Sequence, residues 1–255
     1  MTMNSDAKQQ ALAKVPEVTL IFWIIKVFAT TLGETGGDTL SMSMNLGYLA
    51  ATGIFLALLA GLVWLQVKSR QFQPSLYWAT IIASTTAGTT LADFATRSLG
   101  IGYTGGSLLL LAMVIMSLAA WYKSTGTISV ASVSDPKSEC FYWLTITFSQ
   151  TLGTALGDWL ADDGGLGYMG AALVFGVMLA FVAFCYFRTT ISRTILFWSA
   201  FILTRPLGAA VGDFLDKPLD KGGLGFSRAI ATAVLAAVIV GLLVFFKQRP
   251  AKVGH

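Results

Sequence analysis

The sequence predicts an all-α integral membrane protein of about eight transmembrane helices, and three observations carry that prediction. Of the 255 residues, 55% are hydrophobic and only 12% are charged, whereas soluble domains carry about 25% charged residues. Four apolar runs, 46–66, 101–122, 166–187 and 226–246, contain a single charge between them, Arg228. Each is long enough to cross a hydrocarbon layer of about 30 Å at roughly 1.5 Å per residue. Finally, the chain repeats itself four times.

The repeat is found by aligning on Asp38, Asp93, Asp158 and Asp213. Fifteen residues before each aspartate stands a tryptophan (Trp23, Trp78, Trp143, Trp198) and five before stands a glycine (Gly33, Gly88, Gly153, Gly208). The residue immediately before is Gly37, Ala92, Gly157 or Gly212. Nine residues after the first three come Gly47-Tyr48, Gly102-Tyr103 and Gly167-Tyr168; Gly225-Phe226 fills this place in the fourth copy after a three-residue insertion. Matches at so many fixed offsets define an internal repeat. Each copy pairs a more polar helix, near 18–40, 75–96, 139–161 and 194–215, with one of the apolar runs.

The expected division is a tail over 1–16, repeats over 17–68, 69–123, 138–188 and 189–247, a polar linker over 124–137 and a tail over 248–255. Gly126 and Pro136 break the linker. With two spans per copy, every repeat enters the membrane in the same direction. The prediction is therefore four parallel two-helix repeats with pseudo-fourfold or two-by-two symmetry.

Charge placement sets the topology. Lys8, Lys14, Lys68, Arg70, Lys123, Lys137, Arg188, Arg193, Lys247, Arg249 and Lys252 lie between repeats or at the ends, and only Arg97, Lys217, Lys221 and Arg228 lie in the turns within repeats. By the positive-inside rule both termini are cytoplasmic. The pI of about 9.1 thus reports topology, not a nucleic-acid partner. The start of the chain lacks the pattern of a cleavable signal peptide. The tryptophans, near the cytoplasmic ends of the first helices, read as interface anchors. Cys140 and Cys185 have no CxxC spacing, and His255 is the sole histidine. No enzyme motif and no cofactor site is evident.

The pattern resembles a bacterial membrane-protein family of uncharacterised function, built of four tandem repeats. Each repeat there has two transmembrane segments and a characteristic tryptophan, matched here by Trp23, Trp78, Trp143 and Trp198. The resemblance runs from about Val18 to Phe246. It implies a multi-pass protein of the bacterial inner membrane and no particular activity.

The helix period separates two faces. The glycines, four apart, form a small-xxx-small stripe for close helix packing. Positions four and seven before each aspartate share its face: Glu34 and Thr31, Thr89 and Thr86, Thr154 and Thr151, and in the fourth copy Ala209 and Pro206. Three copies thus offer a stripe of oxygens about 22 Å beyond the tryptophan. Within the membrane, Glu34 and the four aspartates count −5 against +2 from Lys26 and Arg205. Arg205 is expected to pair with Asp213, and Lys26 to snorkel toward the cytoplasm.

Two readings of the aspartates stand. They cap turns or lock helices, or they bind a transported cation, since intramembrane carboxylates are costly and mark ion pathways. Carboxylate and hydroxyl oxygens suit a hard divalent metal. The leading expectation is a cation transporter or channel exchanging protons on these groups, with the lipid bilayer, the cation and protons as partners. The alternatives are a proton-coupled carrier of a small organic solute and a non-transporting scaffold. The acidic turns, Asp162-Asp163 and Asp216 with Asp220, read as solvated loops or as a cation-attracting vestibule.

Overall fold

The structure is a computed structural model that describes residues 14–251, so Lys8, Lys252 and His255 lie outside the described residues. Among the described residues eight long helices follow one another: α1 (Leu20–Asp38), α2 (Gly47–Lys68), α3 (Pro74–Asp93), α4 (Gly102–Thr125), α5 (Pro136–Asp158), α6 (Gly167–Arg188), α7 (Arg193–Asp216) and α8 (Arg228–Phe245). No β-strand occurs among the described residues. Five of the eight (α2, α4, α6, α7 and α8) are long and apolar enough to cross a membrane, which marks the chain as a membrane protein.

Local signals set the boundaries. Thr19 caps α1 by accepting from the Phe22 amide, and Asp135 caps α5 by accepting from Lys137 and Ser138. Pro74 and Pro136 occupy the first turn of their helices, where a missing N–H is harmless. α1, α3 and α5 run through their aspartates into a single wide π-turn, Thr39–Ser43, Phe94–Ser98 and Trp159–Asp163. The chain then reverses at Gly47, Gly102 and Gly167, whose φ of 74°, 73° and 64° explains the repeated glycine. In the fourth copy α7 continues as regular α-helix to Asp216, and the insertion forms a short 3₁₀ turn, Leu219–Lys221. The expected linker contains the end of α4, a 3₁₀ turn at Val130–Ser132 and the first turn of α5.

The four first helices pack as a closed ring, α1 on α3, α3 on α5, α5 on α7 and α7 back on α1. Each second helix lies outside this ring, and it docks on the first helix of the next repeat: α2 on α3, α4 on α5, α6 on α7 and α8 on α1. The last repeat therefore clasps the first. Large apolar side chains such as Leu109, Phe181 and Val244 project outward, away from the ring.

Glycine sets the ring spacing. A Cβ at Gly33 would collide with Thr85, at Gly88 with Gln150, at Gly153 with Arg205 and at Gly208 with Thr30. The opposing residue is in each case the one eight before the next aspartate. Four residues on, Gly37 faces Thr89, Gly157 faces Ala209 and Gly212 faces Glu34. The contact is polar as well as close: Thr85 donates to the Ala29 carbonyl, Thr89 to that of Gly33 and Thr30 to that of Thr204, at 3.1–3.2 Å.

The tryptophans are a correction. Trp78, Trp143 and Trp198 are buried and Trp23 is partly buried. Together with Phe22, Tyr77, Trp121, Tyr142 and Phe197 they form a continuous aromatic layer at one end of the ring, where the Tyr77 and Tyr142 hydroxyls meet at 2.6 Å. Instead of facing the interface, the rings fill the space where the first helices and Trp121 of α4 converge. Buried there, the rings contribute large apolar area and edge-to-face contacts.

Gly33→Ala is expected to destabilise the protein by about 1–3 kcal/mol through overpacking. Gly61→Ala, in open space on α2, should be neutral or stabilising by up to about 1 kcal/mol. Thermal denaturation of the two variants in one detergent distinguishes them; equal stability would contradict the glycine contacts.

Candidate functional site: two ion-pair layers inside the ring

Four residues before the aspartates, the ring presents Glu34, Thr89, Thr154 and Ala209. Arg205, entering from one turn lower on α7, places its Nη2 2.9 Å from Glu34 Oε2, 2.6 Å from Thr89 Oγ1 and 2.5 Å from Thr154 Oγ1. One guanidinium thus joins oxygens of α1, α3 and α5 from its position on α7. Arg205 is wholly buried and Glu34 is 2% exposed, so this is a desolvated ion pair in which loss of either partner strands a charge. The partner of Arg205 is Glu34, not Asp213, because Arg205 stands eight residues, about 12 Å of helix, before its own aspartate.

The next layer outward holds the four aspartates, all buried. Lys217 Nζ lies 2.8 Å from Asp38 and 2.9 Å from Asp213. Arg97 lies 3.2 Å from Asp93 and 3.1 Å from Asp158. Each base bridges the aspartate four residues before it to that of an adjacent repeat, so the aspartates fall into two pairs. Arg228, 3.8 Å from Asp38 and 3.5 Å from Asp216, flanks one of them. Carboxylate oxygens of Glu34, Asp38 and Asp213 lie within 4.8 Å of one another.

Above this layer opens a cavity of about 600 Å³ lined by Tyr48, Arg97, Asp162, Tyr168, Lys217 and Arg228, among others. The glycine-tyrosine pairs of the repeat therefore point at the site. Tyr103 accepts from Arg97 Nε at 3.1 Å and donates to Asp162 at 3.2 Å, and Tyr48 accepts from Arg97 Nη1 at 3.4 Å.

Several sequence expectations change. Arg97 and Lys217, counted as turn residues, fold back onto the aspartate layer. The interior balance becomes five acids (Glu34 and the aspartates) against four bases (Lys26, Arg97, Arg205, Lys217), or −1 in place of −3. The signal was available: both bases stand four residues after an aspartate, on its own helical face. The oxygen stripe divides, since Thr31, Thr86 and Thr151 donate back to carbonyls of their own helices, at Val27, Ile82 and Thr147, and only Thr89 and Thr154 meet a charge. The acidic turns do not make an acidic vestibule: the cavity lining holds the acid Asp162 against Arg97, Lys217, Lys221 and Arg228. Lys26 does not snorkel; it is fully buried.

Fold and site together define a helical membrane protein of tandem two-helix repeats with charge pairs enclosed by its inner helices. Residues 21–72, 76–127, 141–192 and 196–249 each match the Repeat of Unknown Function (DUF347), and the chain belongs to that family. No curated protein and no solved structure was found to match the chain.

Lys217→Met should leave Asp38 and Asp213 without their shared counter-charge and destabilise the fold by roughly 3 kcal/mol. Adding Asp38→Asn should recover part of that loss. A denaturation series over the single and double variants reads the coupling; additive effects would contradict the bridge.

Proposed function

We propose that this protein is a membrane carrier for a cation, with a divalent metal as the candidate substrate and the aspartate layer as its site. The observation that carries this reading is the carboxylate cluster of Glu34, Asp38 and Asp213, in which a cation of the protein's own, the Lys217 ammonium, already bridges the two aspartates. Oxygens on opposite sides of one metal ion stand about 4–5 Å apart, given bond lengths of 2.0–2.6 Å, which agrees with their spacing. An incoming metal would compete with Lys217 for these oxygens, and Lys217 would return when the metal leaves. Such competition couples cation movement to charge or proton movement without a change in fold. The cavity supplies access from one side, and the aromatic layer closes the other.

This reading takes all eight helices as spans. α1, α3 and α5 are too polar to qualify by hydropathy because their polar faces meet in the ring, where other helices shield them from lipid. The ring packing supports pseudo-fourfold symmetry of the helices, and the two bridges support two-by-two pairing of the charges. Basic residues at the repeat junctions support cytoplasmic termini in a bacterial inner membrane.

A second reading is a proton-coupled carrier of a small organic solute. The four bases lining the cavity favour it, because they would attract an anionic substrate.

Reporter fusions after Lys68, Lys123 and Arg188 should all give cytoplasmic signal; an outside signal at any of them refutes equal repeat orientation. In proteoliposomes, Mn²⁺ or Mg²⁺ flux should fall at least tenfold in Asp38→Asn and in Asp213→Asn while the fold survives. Lys217→Met should bind metal more tightly yet exchange it poorly. Wild-type liposomes that carry neither metal, but accumulate an organic anion, would replace the first reading with the second.

A further inference from the structure

Between the Arg205 layer and the aromatic layer, the ring encloses polar groups that neither ion-pair layer uses. Lys26 on α1 is wholly buried, and its Nζ has no hydrogen-bond partner among the described residues. Nζ lies 4.1 Å from the centroid of the Phe201 ring, and Phe201 stands one turn before Arg205 on the packed neighbour α7. Arg205 uses Nη2 for Glu34, Thr89 and Thr154; its Nε and Nη1 have no partner. Gln150 occupies on α5 the position that Arg205 occupies on α7, eight residues before the aspartate. It is fully buried with both amide atoms unpartnered.

The unpartnered groups are mostly donors. An ammonium, two guanidinium nitrogens and a carboxamide N–H₂ have only the Gln150 oxygen and hydroxyls such as Ser149 to receive their protons. Buried donors without acceptors are costly and call for an explanation. Water would satisfy the hydrogen bonds but supply no counter-charge to a protonated Lys26. Glu34 already balances Arg205, but no carboxylate lies within ion-pair distance of Lys26 among the described residues. The missing component is an acceptor that carries negative charge.

We propose that this interior is a binding site for a small monovalent anion of halide size, held by Lys26 Nζ, the free nitrogens of Arg205 and the Gln150 amide. Bound there, the anion neutralises Lys26 and ties α1, α5 and α7 together beneath the aspartate layer. The site uses none of the oxygens assigned to the metal, and its one link to them is the Arg205–Glu34 pair.

The test uses the full chain in nanodiscs at constant ionic strength, with gluconate exchanged for chloride or bromide. A saturable rise in Tm of a few degrees is expected for the wild type, as for any ligand that binds only the folded state. Lys26→Met and Gln150→Leu should abolish the rise or shift its midpoint at least tenfold. Crystals grown in bromide should show an anomalous peak between Lys26 and Arg205. A wild type indifferent to halide, an equal response in Lys26→Met, or density there for water alone would overturn the proposal. Should Lys26→Met fail to fold, Gln150→Leu and the bromide peak decide the matter.

Discussion

The close approach of four polar helices at glycine is the constraint on which the rest of the structure depends. Where a Cβ would stand at Gly33, the hydroxyl of Thr85 stands instead; Thr30 takes that place at Gly208, the Arg205 methylenes at Gly153 and Gln150 at Gly88. At that distance a threonine hydroxyl reaches a carbonyl of the adjacent helix, and a guanidinium can span the ring from α7 to α1, α3 and α5. Wider spacing would leave these groups facing voids or lipid, where unsatisfied polar atoms are costly. The charges inside the ring are tolerable because the glycines let their partners arrive.

Interlocking of the repeats follows from the same geometry. Because each outer helix docks on the inner helix of the next repeat, no repeat completes its own packing. The clasp of α8 on α1 closes what would otherwise be an open array, and its Thr232 meets the Thr35 and Thr39 hydroxyls on the outer side of α1. The outer helices then present leucine, valine and phenylalanine outward, which suits a lipid environment and explains why they, and not α1, α3 or α5, satisfy a simple hydropathy criterion.

Departures from the repeat are concentrated where the charges are. The position eight before the aspartate is threonine in two copies, Gln150 in the third and Arg205 in the fourth; the position four after is Met42, Arg97, Asp162 and Lys217. A strictly repeated sequence would place four identical charges around one axis at close quarters, an arrangement that cannot remain fully ionised. Divergence supplies the counter-charges, and it does so in alternate repeats, so the backbone forms a ring of four while the charges form two pairs.

By itself, the sequence determined the all-α class, the four copies, the alternation of polar and apolar helices and the small-residue stripe. These follow from composition, run length and helical period, which are properties of the chain along its own axis. Tertiary structure alone decided that Arg205 meets Glu34, that Lys217 joins Asp38 to Asp213, and that each outer helix serves the next repeat. It also decided that the tryptophans fill a buried layer. The helical period shows which residues share a face, and it could have placed Arg97 and Lys217 beside their own aspartates. It carries no information about which helix that face will meet, and a buried charge takes its meaning from the neighbour across the gap.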